Sequence, residues 1–199
     1  MVVKYIQVQI PEEVDTDSEP YRNSYYTICD IGKERIRRAA QKLKAEKIER
    51  AKKDGLFADF VDNQDYGFRV YRLDDSNMQD VYYRPQDFKQ SQLELVSDNI
   101  KPDRTSEDLL TQVILDWGLP LSVKIEKVKI VGKELFKVQG NSLFASFDNN
   151  IDEEFARAIA KEQPLRVVFR DSGFKNDTAK TNVKQLLKQL SPETEMKVI

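Results

Sequence analysis

The sequence predicts an α/β protein in two parts, an open strand–helix–strand portion followed by a small α/β domain with a mixed sheet. Three observations predict it. Apolar runs of strand length alternate with longer stretches of helical period along the chain. A strand, a basic helix and a second strand follow one another over the first 80 residues, the order of a right-handed parallel crossover. Beyond residue 104 a capped helix precedes three closely spaced strands and then two helix–strand alternations, so antiparallel pairing comes before parallel pairing. The expected boundaries are 1–80 for the first portion, 81–104 for a packed connection and 105–199 for the second domain.

The opening strand places Ile6, Val8 and Ile10 on one face and Val3 and Tyr5 on the other, and Pro11 ends it. Apolar residues on both faces belong to a strand inside a covered parallel sheet, so the segment reads as one edge of a domain cut open. A polar loop over 12–23 follows. Ile36, Ala40 and Leu43 then mark a helix over 33–53 that Gly55 ends. Its charges are lopsided, with ten Lys or Arg against Glu34, Glu46 and Glu49. A solvated helix face explains this, and so does contact with DNA phosphates or an acidic surface. GFRVYRLDDSN reads as the second strand, with Phe68 and Val70 inward and the Asp74–Asp75 pair at its carboxyl end.

Weak periodicity, Tyr82, Tyr83, Phe88 and prolines 85 and 102 make 77–103 a packed connection. Thr105 and Asp108 form a capping-box pattern ahead of the stripe Leu109, Leu110, Val113, Ile114 and Trp117, and Gly118 and Pro120 stop that helix. Strands are expected at 123–131, 135–139 and 142–147, with Gly140–Asn141 suited to a tight hairpin and a phase slip at Glu126–Lys127 marking a bulge. Asp152 caps a helix carrying Phe155, Ala156, Ile159 and Ala160; LRVVF is a buried strand; Asp177 or Thr178 starts a helix with Val183, Leu186, Leu187 and Leu190; MKVI is a last strand.

Composition excludes whole classes of chemistry. Of 199 residues 40% are hydrophobic and 33% charged, and 32 basic against 34 acidic residues leave a net charge of −2. That balance fits neither a basic nucleic-acid tail nor a disordered polyelectrolyte. No apolar run reaches the roughly 18 residues of a membrane span, and the first residues lack the order of a signal peptide, so the expectation is a soluble, cytoplasmic chain. Without histidine there is no Ser-His-Asp or Cys-His catalysis and no His-containing metal site. Cys29, the one cysteine, reads as a structural thiol because no histidine lowers its pKa. Seven glycines, none in a G-x-G pair, give no phosphate-binding loop. What remains are polar residues at carboxyl ends of expected parallel strands, from Gln9 to Glu12 and from Asp74 to Asn77, where α/β sheets hold ligands and where loops also need stabilising polar groups.

The strings YIQVQIPE, ICDIGKERIRRAA, GFRVYRLDDSN, IKPDRTSEDLLTQVILDWGLPL and VVFRDSGFKNDTAKTNVKQLLKQ, in this order and spacing, closely resemble the carboxyl-terminal half of the modification subunit of type III restriction-modification systems. The resemblance spans nearly the whole chain. It implies a Rossmann-like methyltransferase portion, incomplete here, followed by a carboxyl-terminal domain concerned with subunit contacts. The parent family transfers methyl from S-adenosylmethionine to the adenine amino nitrogen in DNA, with no metal. It assembles with a restriction subunit, and a homodimer of the modification subunit is expected. Neither the catalytic D-P-P-Y nor the cofactor loop F-x-G-x-G occurs in this sequence, so the expectation is a fragment, inactive alone. By the same resemblance Gln9 stands at the cofactor ribose and Asp74, Ser76 and Asn77 near its adenine. Arg35, Arg37 and Arg38 on the basic helix, with Arg170 and Lys175 near a strand end, are the expected DNA or partner contacts. Arg170, Asp171 and Lys175 read equally as an internal salt-bridge network. Two other classes stand beside the enzyme fragment: a stand-alone module that dimerises or docks a nuclease subunit, and a DNA-binding regulator using the basic helix.

Overall fold

A computed structural model describes residues 5–53, 62, 64–79 and 99–199 of the chain. They divide into two compact units, Met1–Leu73 and Asp74–Ile199. Val3, Gly55 as the expected helix end, and Tyr82, Tyr83, Pro85 and Phe88 of the expected connection lie outside the described residues. Among the described residues no helix is long and apolar enough to cross a membrane.

The first unit is helical where the sequence expected helix, forms one further short helix inside the expected loop over 12–23, and is irregular where strands were expected. A short helix, α1 (Glu19–Arg22), is capped by Ser18 Oγ, which accepts from the Tyr21 amide. Then comes α2 (Ile28–Lys53), 26 residues with none buried. It starts five residues earlier than expected because Thr27 and Asp30 bond reciprocally. The Thr27 amide and hydroxyl donate to Asp30 Oδ2 at 3.1 and 2.9 Å, while the Asp30 amide donates back to Thr27 Oγ1 at 3.3 Å. Ion pairs one turn apart, Glu34–Arg38 and Glu49–Lys53, support a helix that has no buried residue.

The two strands expected to flank α2 are not formed: residues 5–10 and 64–73 belong to no sheet. Ile6, Val8 and Leu73 are 89, 90 and 100% exposed. Alternating apolar residues are a property of a segment, whereas pairing needs a neighbour, and the described part of this unit supplies none.

The second unit owns the core. After α3 (Ser106–Asp116) come β1 (Ile125–Ile130), β2 (Lys133–Val138), β3 (Leu143–Ser146), α4 (Glu153–Ala160), β4 (Arg166–Phe169), α5 (Asp177–Leu190) and β5 (Glu195–Val198). They form a mixed sheet in sequence order, antiparallel from β1 to β3 and parallel from β3 to β5. This is the antiparallel-then-parallel α/β architecture expected of the sequence. Alternation along each strand feeds two cores. Leu135, Phe144, Val167 and Phe169 face α4 and α5, meeting Phe155, Ile159, Val183 and Leu187. Phe136, Leu143, Ala145 and Val168 face α3, meeting Leu109, Leu110, Val113 and Ile114. Both helices that open on an apolar stripe begin at the expected caps, the Thr105–Asp108 box and Asp152 Oδ1 on the Phe155 amide.

Two local expectations are corrected. No bulge interrupts β1, which pairs with β2 without a break from Ile125 to Ile130. The phase slip arises because Ile125 packs on the α3 side and Val128 and Ile130 on the other. At the β2–β3 hairpin the left-handed residues are Gln139 and Gly140, while Asn141 ties the loop to α4 by donating its Nδ2 to the Glu162 carbonyl at 2.7 Å. α5 starts at Asp177 as expected, and Asn176 caps it, its Oδ1 accepting from the Ala179 amide at 2.8 Å.

Ile130 pairs with Lys133, so β1 and β2 join through Val131 and Gly132 alone, at φ 50 and 76. A two-residue hairpin requires this left-handed pair, yet a β-branched side chain resists it. Val131→Asn is expected to stabilise the chain by about 1 kcal/mol, read as a higher urea midpoint at unchanged slope. A lower midpoint would contradict strain at this turn.

Candidate functional site

The three residues expected near a cofactor adenine lie at the start of the second unit, in a segment stitched to the approach to α3. The Gln79 amide donates to the Asn99 carbonyl at 2.8 Å and the Lys101 amide to the Asn77 carbonyl at 2.9 Å, around the Met78–Ile100 bridge. Asn77 Nδ2 donates to the Asp108 carbonyl at 3.0 Å, and Ser76 Oγ accepts from the Met78 amide at 3.1 Å. Asp74 accepts from the Arg104 guanidinium at 3.2 Å, and Asp103 lies 3.6 Å from the same nitrogen. Arg104 is mostly buried, its side chain 12% exposed, so the two carboxylates balance a charge taken out of water. The Thr105 hydroxyl and amide hold the neighbouring Asp108 carboxyl below its ordinary range. Asp74, Ser76 and Asn77 therefore meet in one polar loop, and the polar contacts just named fasten that loop to its own unit.

Gln9 belongs to the first unit. It is exposed, and its Nε2 donates to the Ile10 carbonyl at 3.2 Å. The Cys29 thiol, half-buried, points at the Gln9 and Ile10 carbonyls at 3.8 and 3.7 Å, weak contacts that suit a structural role.

Along α2 the cations differ in what they meet. Arg38 Nε donates to Glu34 at 2.8 Å; Arg37 reaches the other Glu34 oxygen at 3.8 Å and lies 5.7 Å over the Phe68 ring. Lys47 lies 5.4 Å over Tyr66 and 3.7 Å from Asp62, whose carboxylate accepts from the Tyr66 hydroxyl at 2.7 Å. Arg35, Lys42, Lys44, Arg50 and Lys52 have no ion pair among the described residues. Arg35 and Arg38, with Tyr25 and Glu19, line an open groove of about 470 Å³ between α1 and α2. Among the described residues the helix therefore presents positive charge of which only part is neutralised by ion pairs.

The third polar cluster sits at the carboxyl ends of the parallel strands β3 and β4. Lys133 reaches Asp152 at 3.0 Å, Asp148 Oδ2 accepts from the Glu134 amide at 2.6 Å, and buried Ser146 donates to the Glu134 carbonyl at 2.6 Å. Arg170 leads into a 3-10 turn, Asp171–Gly173. Gly173 is required there because a Cβ would fall 2.6 Å from the Asp148 carbonyl. Asp171 pairs with Lys180 at 2.7 Å, and this pairing raises the lysine's pKa. Lys175 is exposed and has no ion pair among the described residues. Sequence reasoning named Arg170, Asp171 and Lys175 but missed Lys133, Asp148 and Lys180, which only the sheet order brings to the same end. Among the described residues no three His, Cys, Asp or Glu side chains could hold a metal ion.

No protein-family profile matches the chain, and no curated protein matches its sequence.

One titration is specific to this geometry. Lys33 at 2.7 Å and the Thr27 hydroxyl lower the Asp30 pKa from its ordinary 3.8 to about 2. A depressed carboxylate stabilises the fold above its unfolded pKa and loses that contribution as pH falls through the folded one. Asp30→Asn should therefore melt below the wild type at pH 6 by circular dichroism at 222 nm, with the gap closing by pH 2. A gap independent of pH would contradict the assignment.

Proposed function

We propose that this chain is the carboxyl-terminal part of an adenine-specific DNA methyltransferase of the type III modification class, contributing part of a cofactor-binding unit and a separate α/β domain for subunit contacts. The observation that carries this reading is the five long strings found in register from YIQVQIPE to VVFRDSGFKNDTAKTNVKQLLKQ. The state of the first unit supports it. Ile6, Val8, Ile10, Val70 and Leu73 occupy the segments patterned as strands and are left in water. Burying one such side chain is worth about 1.5–3 kcal/mol, so these residues are placed to gain from strands that the rest of a methyltransferase sheet would provide.

S-adenosylmethionine supplies the methyl group in this class, and most of the described residues expected to meet it already hold partners within their own unit. Ser76 and Asn77 direct polar atoms at Met78 and Asp108, Asp74 is held by Arg104, and Gln9 lies exposed in the other unit. The D-P-P-Y and F-x-G-x-G elements are missing from the sequence. Within a complete enzyme, Gln9 would offer a neutral amide to a ribose hydroxyl, weaker than a carboxylate acceptor, and the cations of α2 would lie along DNA phosphates.

The test has two arms. Titration calorimetry of the chain with S-adenosylmethionine should give no measurable heat, and transfer of labelled methyl to DNA should stay at background. Supplying in trans an amino-terminal portion of a type III modification subunit, with its D-P-P-Y and F-x-G-x-G, should produce adenine methylation that depends on this chain. Methylation by the chain alone, or none with the added portion, would overturn the proposal.

A further inference from the structure

We infer that the chain carries an internal competitor for its own basic helix: Asp62, Gln64, Tyr66 and Phe68 strap one side of α2, and DNA must lift this strap to reach the cations beneath it. This regulation rests on the reading of α2 as a surface for DNA phosphates, and adds how access to that surface is controlled.

The cations of α2 fall on two sides. Arg37, Lys44 and Lys47 share one, at i, i+7 and i+10, while Arg35, Lys42 and Arg50 lie about half a turn away on the other. These last three are exposed and have no ion pair among the described residues, so their side is open. The first side is occupied. Asp62 is 3.7 Å from Lys47, and its side chain is only 5% exposed, so the carboxylate is withdrawn from water. The Tyr66 hydroxyl donates to one of its oxygens at 2.7 Å and the Gln64 amide to the other at 3.2 Å. Lys47 donates to Gln64 Oε1 and lies 5.4 Å over the Tyr66 ring. Ten residues back along α2, Arg37 lies 5.7 Å over the Phe68 ring. The strap thus runs antiparallel to α2, along about 15 Å of its length.

What the strap offers these cations is what a nucleic acid offers, an anionic oxygen and the face of an aromatic ring. The Tyr66 hydroxyl first, then the Gln64 amide and the charges of Lys47 and Lys44, hold the Asp62 carboxyl below its ordinary range, so it stands ionised like a phosphate. One ammonium cannot meet both at once. Lys47 keeps 43% of its side chain exposed, so solvent and salt reach the contact and a strap held this way can open. A helix that follows DNA between its two phosphate rows needs cations on both sides, and the strap closes one of them.

Binding of the full chain to a labelled DNA duplex of mixed sequence, followed by fluorescence anisotropy over a range of salt, tests this. Tyr66→Ala combined with Phe68→Ala leaves the net charge unchanged. It should bind about tenfold tighter than the wild type at about 50 mM salt, with a slope of log affinity against log salt steeper by up to about 2, for two cations freed. Adding Lys47→Gln should remove much of that gain, whereas Lys47→Gln alone should change binding little. Circular dichroism at 222 nm establishes that α2 persists in each variant. Carbodiimide labelling of the wild type needs no variant: Asp62 should resist it in the free chain and react once DNA is bound, with exposed Asp65 reactive throughout. A double variant that binds no tighter than the wild type, or an Asp62 that reacts before DNA is added or stays unreactive with DNA bound, would overturn the inference. Neither readout involves methyl transfer, so a failure of adenine methylation with the added amino-terminal portion strikes the methyltransferase reading and leaves the strap standing.

Discussion

Parallel pairing of β3 with β4, buried on both faces, is the constraint on which the rest of the second unit depends. Phe144 stands beside Val167 and Ala145 beside Val168, and all four are inaccessible to solvent. Because successive side chains point to opposite faces, this one pair of strands feeds both cores at once, so α3 must cover one side and α4 with α5 the other. Truncating a residue of this layer such as Phe144 would remove about 3–5 kcal/mol, a large share of what an ordinary domain has. The polar features follow from the same pairing. Parallel strands end together, which is why Asp148, Asp171 and, through the antiparallel β2, Lys133 gather at one end of the sheet.

The first unit shows what happens when such a constraint is absent. Its 26-residue α2 has no buried residue and is held by a cap and ion pairs along its own surface. The apolar residues of its strand-patterned segments find no second layer among the described residues. Local interactions suffice for a helix, whose hydrogen bonds are internal, but not for a strand, whose hydrogen bonds belong to its neighbours. The same chain therefore holds one unit with a core of its own and one whose sequence asks for more sheet than its described residues provide.

This contrast also explains what the sequence made legible. The second unit could be read nearly element by element, since caps such as Thr105–Asp108 and Asp152 and the stripes behind them act locally. The Thr27–Asp30 box has the same chemistry but lies in the mixed run YYTICDIG, where no clean apolar stripe announces a helix. Val131 escaped notice because a β-branched residue argues against a left-handed turn, and the slip at Glu126–Lys127 looked like a bulge because β1 serves both faces. Of the expected site, residue types at strand ends were readable. Their partners were not: Arg104 for Asp74, Asp108 for Asn77 and Lys180 for Asp171 depend on tertiary contacts that spacing does not encode.

Hydrogen exchange of the intact chain, followed peptide by peptide by mass spectrometry, tests this division most directly. Amides of β3 and β4 should exchange slowest, by global unfolding alone, while residues 5–10 exchange at the rate of unprotected chain. Protection of residues 5–10 to the level of β4 would mean that the first unit already holds a complete sheet, and would contradict the account.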